Sequence, residues 1–197
     1  MKTTIEILNE ISENISNITT GIDIDQIDKC IDMLSKCNGN IITIGTGKSG
    51  IIAHEISSLF ATSGSVSFNI SPLDAMHGEI GSIRDGDAVI IFSKSGNTNE
   101  IARLMKYISK IDAYKMLITS HHSSQIGDLV HDRIVINDKS ECCPFEVLPT
   151  TSIIEQLIVG ITVVLGVMQK KNVPLTQLLH NHPEGSLGVV IEEKLKN

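Results

Sequence analysis

Aromatic residues are scarce in this sequence. They make up 3% of its 197 residues, and tryptophan is absent. The hydrophobic content of 41% therefore comes mainly from Ile, Leu, Val and Ala, which suit buried parallel strands covered by helices. The length falls within the range of a single domain. We expect one domain, residues 1–197, with an α/β fold.

A run of basic residues is also missing, and the formal net charge is -7. These features exclude a broad electrostatic attraction to nucleic acid. They do not exclude a small anion, because a helix N-terminus and a single Lys bind phosphate even in an acidic protein.

No secretory signal is evident, since acids interrupt the apolar residues of the N-terminal segment MKTTIEILNEISENI. The longest apolar stretch, 158–168, is too short to span a bilayer and follows Glu155 and Gln156. We therefore predict a cytoplasmic protein, no contact with a membrane, and a buried helix over this stretch.

Cysteine is sparse, with four residues and no CxxC pair, so a metal site built on thiolates is not indicated. We expect reduced thiols. The spacing of Cys30 and Cys37 fits one apolar face of a helix. Cys142 and Cys143 lie in the predicted loop ECCPFEVLP, and whether this loop approaches a site is left open.

Apolar residues spaced by three and four predict two amphipathic helices within about residues 3–36. Strands and helices then alternate through an α/β core of about residues 38–170, and a helical segment follows at about 174–195. The predicted strands are 41–45, 65–70, 87–93, 115–120 and 133–137. The predicted core helices are 48–63, 98–110, 123–129 and 151–170.

This alternation predicts right-handed βαβ units and therefore a three-layer αβα sandwich, flavodoxin-like and doubly wound, with a five-stranded parallel sheet. Ligands of such sheets bind beyond the carboxyl ends of the strands, where the strand order reverses. With the order 2-1-3-4-5, that point follows the first and third strands, at GTGKSG and SKSGNTNE.

The segment 45–50 fits the G-x-G-x-x-G pattern between a strand and a helix, which alone is weak evidence for a dinucleotide site. The acidic residue expected at the end of the second strand is missing, because SVSFNI runs into Ser71 and Pro72. A Walker motif is excluded as well, since Ile42 stands where its first glycine is required.

The turn after the third strand, 93–98, is more informative because it leads directly into a helix. The hydroxyls of Ser93, Ser95 and Thr98, with the N–H groups at the helix start, predict a neutral cradle for a phosphate. Ser95 or Thr98 also fits the N-cap of the helix, and both roles are compatible.

Three titratable residues stand near the polar turns. Glu100 suits interaction with the helix dipole, or a role as a base that moves a proton between neighbouring carbons of a bound sugar phosphate. His77 lies in the loop 71–81, and His182 lies in NHPEGSLG, where Pro183 shapes a turn. A lone loop histidine is more often structural or solvated. Surface or packing positions are expected for His54, His121, His122, His131 and His180.

Five strings in this order resemble the SIS (sugar isomerase) domain family, and within it the arabinose-5-phosphate isomerases: GTGKSG, PLDAMHGEIG, SKSGNTNE, ECCPFEVLPTTS and NHPEGSLG. The resemblance covers about residues 38–190. It implies an enzyme that interconverts D-arabinose 5-phosphate and D-ribulose 5-phosphate on the way to Kdo, a sugar of envelopes and capsules. It implies no metal and no organic cofactor.

Carried over by position, the resemblance implies catalytic roles for Lys48, His77, Glu100 and His182. Glu100 is the expected base, Lys48 the support for the developing oxyanion, and the two histidines serve ring opening and proton shuttling. The family's phosphate-binding turns correspond to Gly47, Ser49, Ser93, Ser95 and Thr98. Relatives are commonly homotetramers with shared sites, so some of these groups are expected to meet only in the oligomer.

Two features depart from the family pattern. Many relatives carry a pair of CBS domains after the SIS domain, for which these 197 residues leave no room, so regulation through them is not expected. Glu184 replaces a glycine beside His182. Two alternatives stay open: another phosphosugar isomerase, acting on a hexulose or sedoheptulose phosphate, and a sugar-phosphate-sensing module without catalysis.

Overall fold

A five-stranded parallel sheet lies at the centre of the computed structural model, which describes residues 2–136 and 140–196. Its order is β2-β1-β3-β4-β5, as predicted. The strands are β1 (Ile41–Gly45), β2 (Ser67–Ile70), β3 (Ala88–Phe92), β4 (Tyr114–Thr119) and β5 (Asp132–Val135). The α/β, doubly wound fold class is therefore confirmed.

Helices cover both faces of the sheet, and two of them precede it, as predicted. They are α1 (Thr4–Ser16), α2 (Ile24–Ser35), α3 (Gly47–Thr62), α4 (Pro72–Ala75), α5 (Asn99–Ile108), α6 (Thr151–Lys170), α7 (Leu175–Asn181) and α8 (Gly185–Lys196). Short 3-10 turns occur at Ile18–Thr20, Glu79–Ser82 and Gly127–Leu129.

The predicted helix over 123–129 is wrong. Only a 3-10 turn forms there, because the Ser124 hydroxyl accepts the Gly127 N–H at 3.1 Å and the Ile126 N–H donates to the Gly96 carbonyl at 3.0 Å. These bonds replace the helical pattern with one that ties the segment to the turn after β3. The end of the predicted strand 133–137 lies outside the described residues.

The core consists of two apolar layers, one on each face of the sheet. Side chains alternate along each strand, so Ile41 and Ile90 join α2, α3 and α6 on one face. Ile42 and Ile91 join α5 on the other face. Both faces of β1 and β3 are fully buried, which explains their unbroken apolar sequences.

The 20-residue helix α6 is long and apolar enough to cross a membrane, with a mean hydropathy of 1.9 in its most apolar window. Half of that window is buried inside the protein. Val159, Val163 and Val167 belong to the core, and a side chain at Gly160 would come within 2.6 Å of Ile56. The prediction of a buried helix is therefore confirmed.

The four cysteine thiols are free. Cys30 and Cys37 do not share a helix face. Cys30 is buried in α2, whereas Cys37 lies beyond the end of that helix, where its thiol donates to the Gly86 carbonyl at 3.4 Å. The prediction for Cys37 was wrong because α2 ends at Ser35.

We expect Ile90→Ala to lower the free energy of unfolding by about 2–5 kcal/mol, because it opens a cavity in the central strand. Ile90 is 1% exposed. The matched control is Ile24→Ala in α2, where the side chain is 53% exposed and the expected change is within about 0.5 kcal/mol. Urea unfolding of both variants measures the difference, and equal losses would contradict this description of the core.

Candidate active site

The two polar turns meet at the carboxyl ends of β1 and β3. The register pairs Gly45 with Phe92, so the turns that follow these residues leave the sheet side by side. Between them lies a cavity of about 220 Å³. It is lined by Thr46, Ser49, Phe92, Ser93, Lys94, Ser95, Thr98 and His121.

The first turn is tight because β1 runs directly into α3. A side chain at Gly45 would come within 2.6 Å of the Ser49 carbonyl oxygen, and Gly47 has a positive φ of 61°, which glycine tolerates best. Ser49 lines the cavity. Lys48 is exposed in the first turn of α3 and is not among the described residues that line this cavity.

The second turn is fixed by its own hydroxyls and by β4. Ser93 Oγ and Thr98 Oγ1 are 2.9 Å apart, and the Gly96 N–H donates to Ser93 Oγ at 3.1 Å. The Thr119 hydroxyl donates to the Lys94 carbonyl at 3.0 Å. These hydrogen bonds fix the conformation of the turn from within the protein.

The N-cap position of α5 is occupied by Thr98, but its side chain makes no capping hydrogen bond. Its hydroxyl is paired with Ser93 instead. Ser95 Oγ accepts the N–H of Asn97, ahead of the helix. Because the side chains leave the first N–H groups of α5 uncapped, the positive end of the helix dipole faces this turn.

Glu141, a buried carboxylate that the sequence analysis did not single out, anchors this turn to the segment before α6. Glu141 accepts hydrogen bonds from Lys94 Nζ at 2.8 Å, Ser152 Oγ at 2.6 Å and the Thr150 N–H at 2.6 Å. Burial alone would raise the pKa of Glu141, but these bonds outweigh it and hold the pKa at about 2. The pair joins the turn after β3 to the N-terminus of α6.

The vicinal cysteines hold the loop that leads to α6. The thiol of Cys143 accepts the N–H groups of Val147 and Leu148, both at 3.1 Å. Burial raises the pKa of this thiol, and the N–H donors lower it by more. Cys142 is 3.2 Å from Thr151 Oγ1. Neither cysteine is among the described residues that line the cavity at the turns.

A second, smaller cleft of about 120 Å³ adjoins the start of α5. It is lined by Pro72, Leu73, Met76, His77, Glu100 and Arg103. The structure thus brings His77 and Glu100 together, two residues beyond the Thr98 hydroxyl. The 71–81 segment was predicted as a loop, but α4 and a 3-10 turn form within it and present His77.

Sequence reasoning missed two residues of these cavities, His121 and Arg103. His121 is exposed, as expected, but it also lines the cavity at the turns because it follows β4, the neighbour of β3. Arg103 follows Glu100 by three residues on α5, a spacing that places two side chains on one helix face. That spacing was visible in the sequence.

His182 is far from these groups within one chain. Its ring Nδ1 is 3.2 Å from the Leu178 carbonyl oxygen at the end of α7. The neighbouring Asn181 donates to the Thr62 carbonyl at 2.9 Å, at the C-terminus of α3. Gly47, beside the cavity, begins that helix, and its 16 residues span about 22 Å. Lys48, His77 and Glu100 therefore lie near the carboxyl ends of the strands, and His182 lies near their amino ends.

The chemistry available at these clefts is that of hydroxyls, backbone N–H groups, carboxylate, imidazole and guanidinium. Within residues 2–136 and 140–196, no three His, Cys, Asp or Glu side chains are grouped so that they could hold a metal ion. The arrangement suits anion binding beside a group able to move protons.

The sequence matches the SIS domain family over residues 33–165, and the chain belongs to this family. The Escherichia coli arabinose 5-phosphate isomerase KpsF is 29% identical over 181 residues, which are 92% of this chain and 55% of KpsF. The chain thus spans about half the length of the curated relatives it matches.

Solved structures of the same fold agree with the sheet and its helices. An E. coli protein solved in complex with arabinose 5-phosphate is 28% identical, with a TM-score of 0.82 over 87% of this chain and 91% of that one. A Listeria monocytogenes structure has a TM-score of 0.86 over 93% of this chain and 100% of that one. Its identity is 24%, so it speaks for the fold alone.

We expect Glu141→Gln to lower the free energy of unfolding by roughly 1.5–3 kcal/mol at pH 7, because it breaks charge-assisted hydrogen bonds to a buried carboxylate. The folded-state pKa of about 2 lies below the ordinary value of 4.5. The stabilisation by Glu141 is therefore complete above about pH 4.5 and is lost as the pH falls toward 2. Denaturant unfolding between pH 2.5 and 7, a range set by these values, measures this in both proteins.

The variant should lose less stability than the wild type over the acidic part of that range. Glu192→Gln, at an exposed position of α8, controls for the loss of one negative charge. An unchanged acid slope in Glu141→Gln would contradict the role given to this carboxylate.

Proposed function

We propose that the protein is an aldose–ketose isomerase that interconverts D-arabinose 5-phosphate and D-ribulose 5-phosphate without a cofactor. The observation that carries the proposal is that residues at the start of α5 line both clefts, Thr98 in one and Glu100 in the other. One offers hydroxyls and a helix N-terminus to an anion, and the other holds a carboxylate and an imidazole. A sugar phosphate needs both kinds of group.

The phosphate would occupy the cavity at the two turns. Its oxygens would accept from the hydroxyls of Ser49, Ser93, Ser95 and Thr98 and from the N–H groups at Gly47 and at the start of α5. Lys94, next to these hydroxyls, is paired with Glu141 at 2.8 Å, so its charge is largely balanced within the fold. Hydroxyls and helix dipoles therefore provide most of the attraction.

The reaction requires ring opening, which His77 would assist, and then transfer of a proton between C2 and C1. Glu100 would remove the C2 proton of the open-chain aldose. The C–H electron pair then forms the C1–C2 double bond, and the charge moves to O1. Returning the proton to C1 and transferring the O2 proton to O1 gives the ketose. Lys48 is proposed to support the oxyanion.

Kinship with KpsF supports this reaction, and with it a place in Kdo formation for lipopolysaccharide or capsule and a cytoplasmic location. The other SIS-type isomerisations and a sensing role without catalysis are the competing functions. The same clefts would bind a sugar phosphate in each of them, so turnover and substrate choice decide between them.

Sharing of sites between subunits of a homotetramer is the second part of the proposal. Within one chain, His182 and Glu100 lie at opposite ends of the strands. His182 would therefore reach a site only in a neighbouring subunit. The apolar residues Ile5 and Leu8 on α1 are 61% and 55% exposed. No residue of α1 is fully buried, and a subunit interface would cover its apolar face.

Chelator-treated protein should convert arabinose 5-phosphate to ribulose 5-phosphate, and Glu100→Gln should lower kcat by at least about 10³-fold because it removes the base. Thr98→Val should instead mainly raise KM, since it deletes a phosphate-binding hydroxyl. A coupled assay for the ketose measures both changes, and circular dichroism verifies the fold of each variant.

Turnover of a hexulose or sedoheptulose phosphate in place of the pentose would assign another isomerisation. A well-folded wild type that turns over none of these sugars but binds them in calorimetry would favour the sensing module.

We expect His182→Asn and Glu100→Gln to be inactive separately and to regain part of the activity when they are unfolded and refolded together. Mixed tetramers would contain sites with an intact Glu100 from one subunit and an intact His182 from another. Light scattering establishes the oligomer, and co-refolding each variant with itself is the control. A mixture as inactive as its components would argue against shared sites.

A further inference from the structure

Arg103 has no role in the proposed isomerisation mechanism, yet it lines the cleft of His77 and Glu100. It lies three residues after Glu100, so its Cα is about 4.5 Å further along the axis of α5. Within the described ranges, no hydrogen bond or ion pair engages the side chains of His77, Glu100 or Arg103. All three are thus available to a ligand.

The cation proposed for the oxyanion, Lys48, is not among the described residues of either cleft. Among the described residues that line this cleft, Arg103 is the cation that accompanies Glu100. The small cleft suits the carbonyl end of a sugar, while the larger cavity of about 220 Å³ suits its phosphate. A substrate held in this way would present C1 and C2 to Glu100 and Arg103 together.

A guanidinium group presents a planar fork of N–H donors that matches two neighbouring oxygen atoms. The enediolate formed from an aldose has such a pair, O1 and O2, with the negative charge spread over the C1–C2 end. An ammonium group offers no fork of this kind. The chemistry of the intermediate therefore fits arginine at this position.

We propose that Arg103 is a catalytic residue, which binds O1 and O2 of the enediolate through its guanidinium fork and stabilises the charge that develops there. This inference rests on the proposed function and adds a specific donor to it. Lys48 then has a supporting role at the phosphate end or in a neighbouring site.

Two ligands separate binding of the intermediate from binding of the phosphate. A 4-phosphoerythronohydroxamate imitates the planar enediolate of a pentose 5-phosphate, because its N–OH stands for C1 and O1 and its carbonyl group for C2 and O2, whereas arabinitol 5-phosphate keeps the phosphate but has no carbonyl. Calorimetry should show the hydroxamate binding to Arg103→Gln about 10²-fold more weakly than to the wild type. The affinity for arabinitol 5-phosphate should change by less than about twofold.

The same variant should lose about 10²–10³-fold in kcat with little change in KM, and Arg103→Lys should recover only part of that loss because it restores charge without the fork. Lys106→Gln is the matched control, because it removes one positive charge from an exposed position three residues further along α5. It should keep wild-type kinetics and both affinities.

Equal weakening of both ligands in Arg103→Gln, or wild-type kcat, would overturn the inference. If the wild type is active and Glu100→Gln is not, such a result removes Arg103 alone and leaves the proposed function standing. If the wild type turns over no sugar, the proposed function fails. The ratio of the two affinities then still tests Arg103, and an unchanged ratio refutes its role.

Discussion

The pairing of Gly45 with Phe92 is the last contact between β1 and β3, and the position of every group at the clefts depends on it. Because these parallel strands end in register, the turns that follow them lie side by side at the carboxyl ends of the strands. Two sequence segments more than forty residues apart therefore become neighbours. The close approach of Gly45 to Ser49 and the hydroxyl pair of Ser93 and Thr98 then shape the cavity between these turns.

Charge at the two clefts is arranged in two different ways. At the cavity, Lys94 is matched by the buried Glu141, which leaves neutral hydroxyls and helix termini to face an anion. At the smaller cleft, His77, Glu100 and Arg103 line one cavity. The first arrangement suits a group that is charged throughout a reaction, and the second suits a charge that appears only during it.

Much of the fold could be predicted from local sequence patterns, because strand and helix periods and the turn residues are local properties. The alternation predicted the parallel, doubly wound sheet, and with the order 2-1-3-4-5 assumed for this class of fold, the strings at 45–50 and 93–98 placed the cavity. Glu141, His121 and the short turn near Ser124 were missed because their positions depend on contacts between distant segments. The separation of His182 from Glu100 depends on where α7 packs against α3, which no local pattern encodes.

The turn after β3 and the segment after β4 are linked by one steric contact. Gly96 has a positive φ of 63°, and a side chain there would come within 2.3 Å of Ser124 Oγ. A larger residue at position 124 would press on the same backbone from the other side. Positions 96 and 124 therefore cannot vary independently, and the size of the residue after β4 constrains the backbone of the turn after β3.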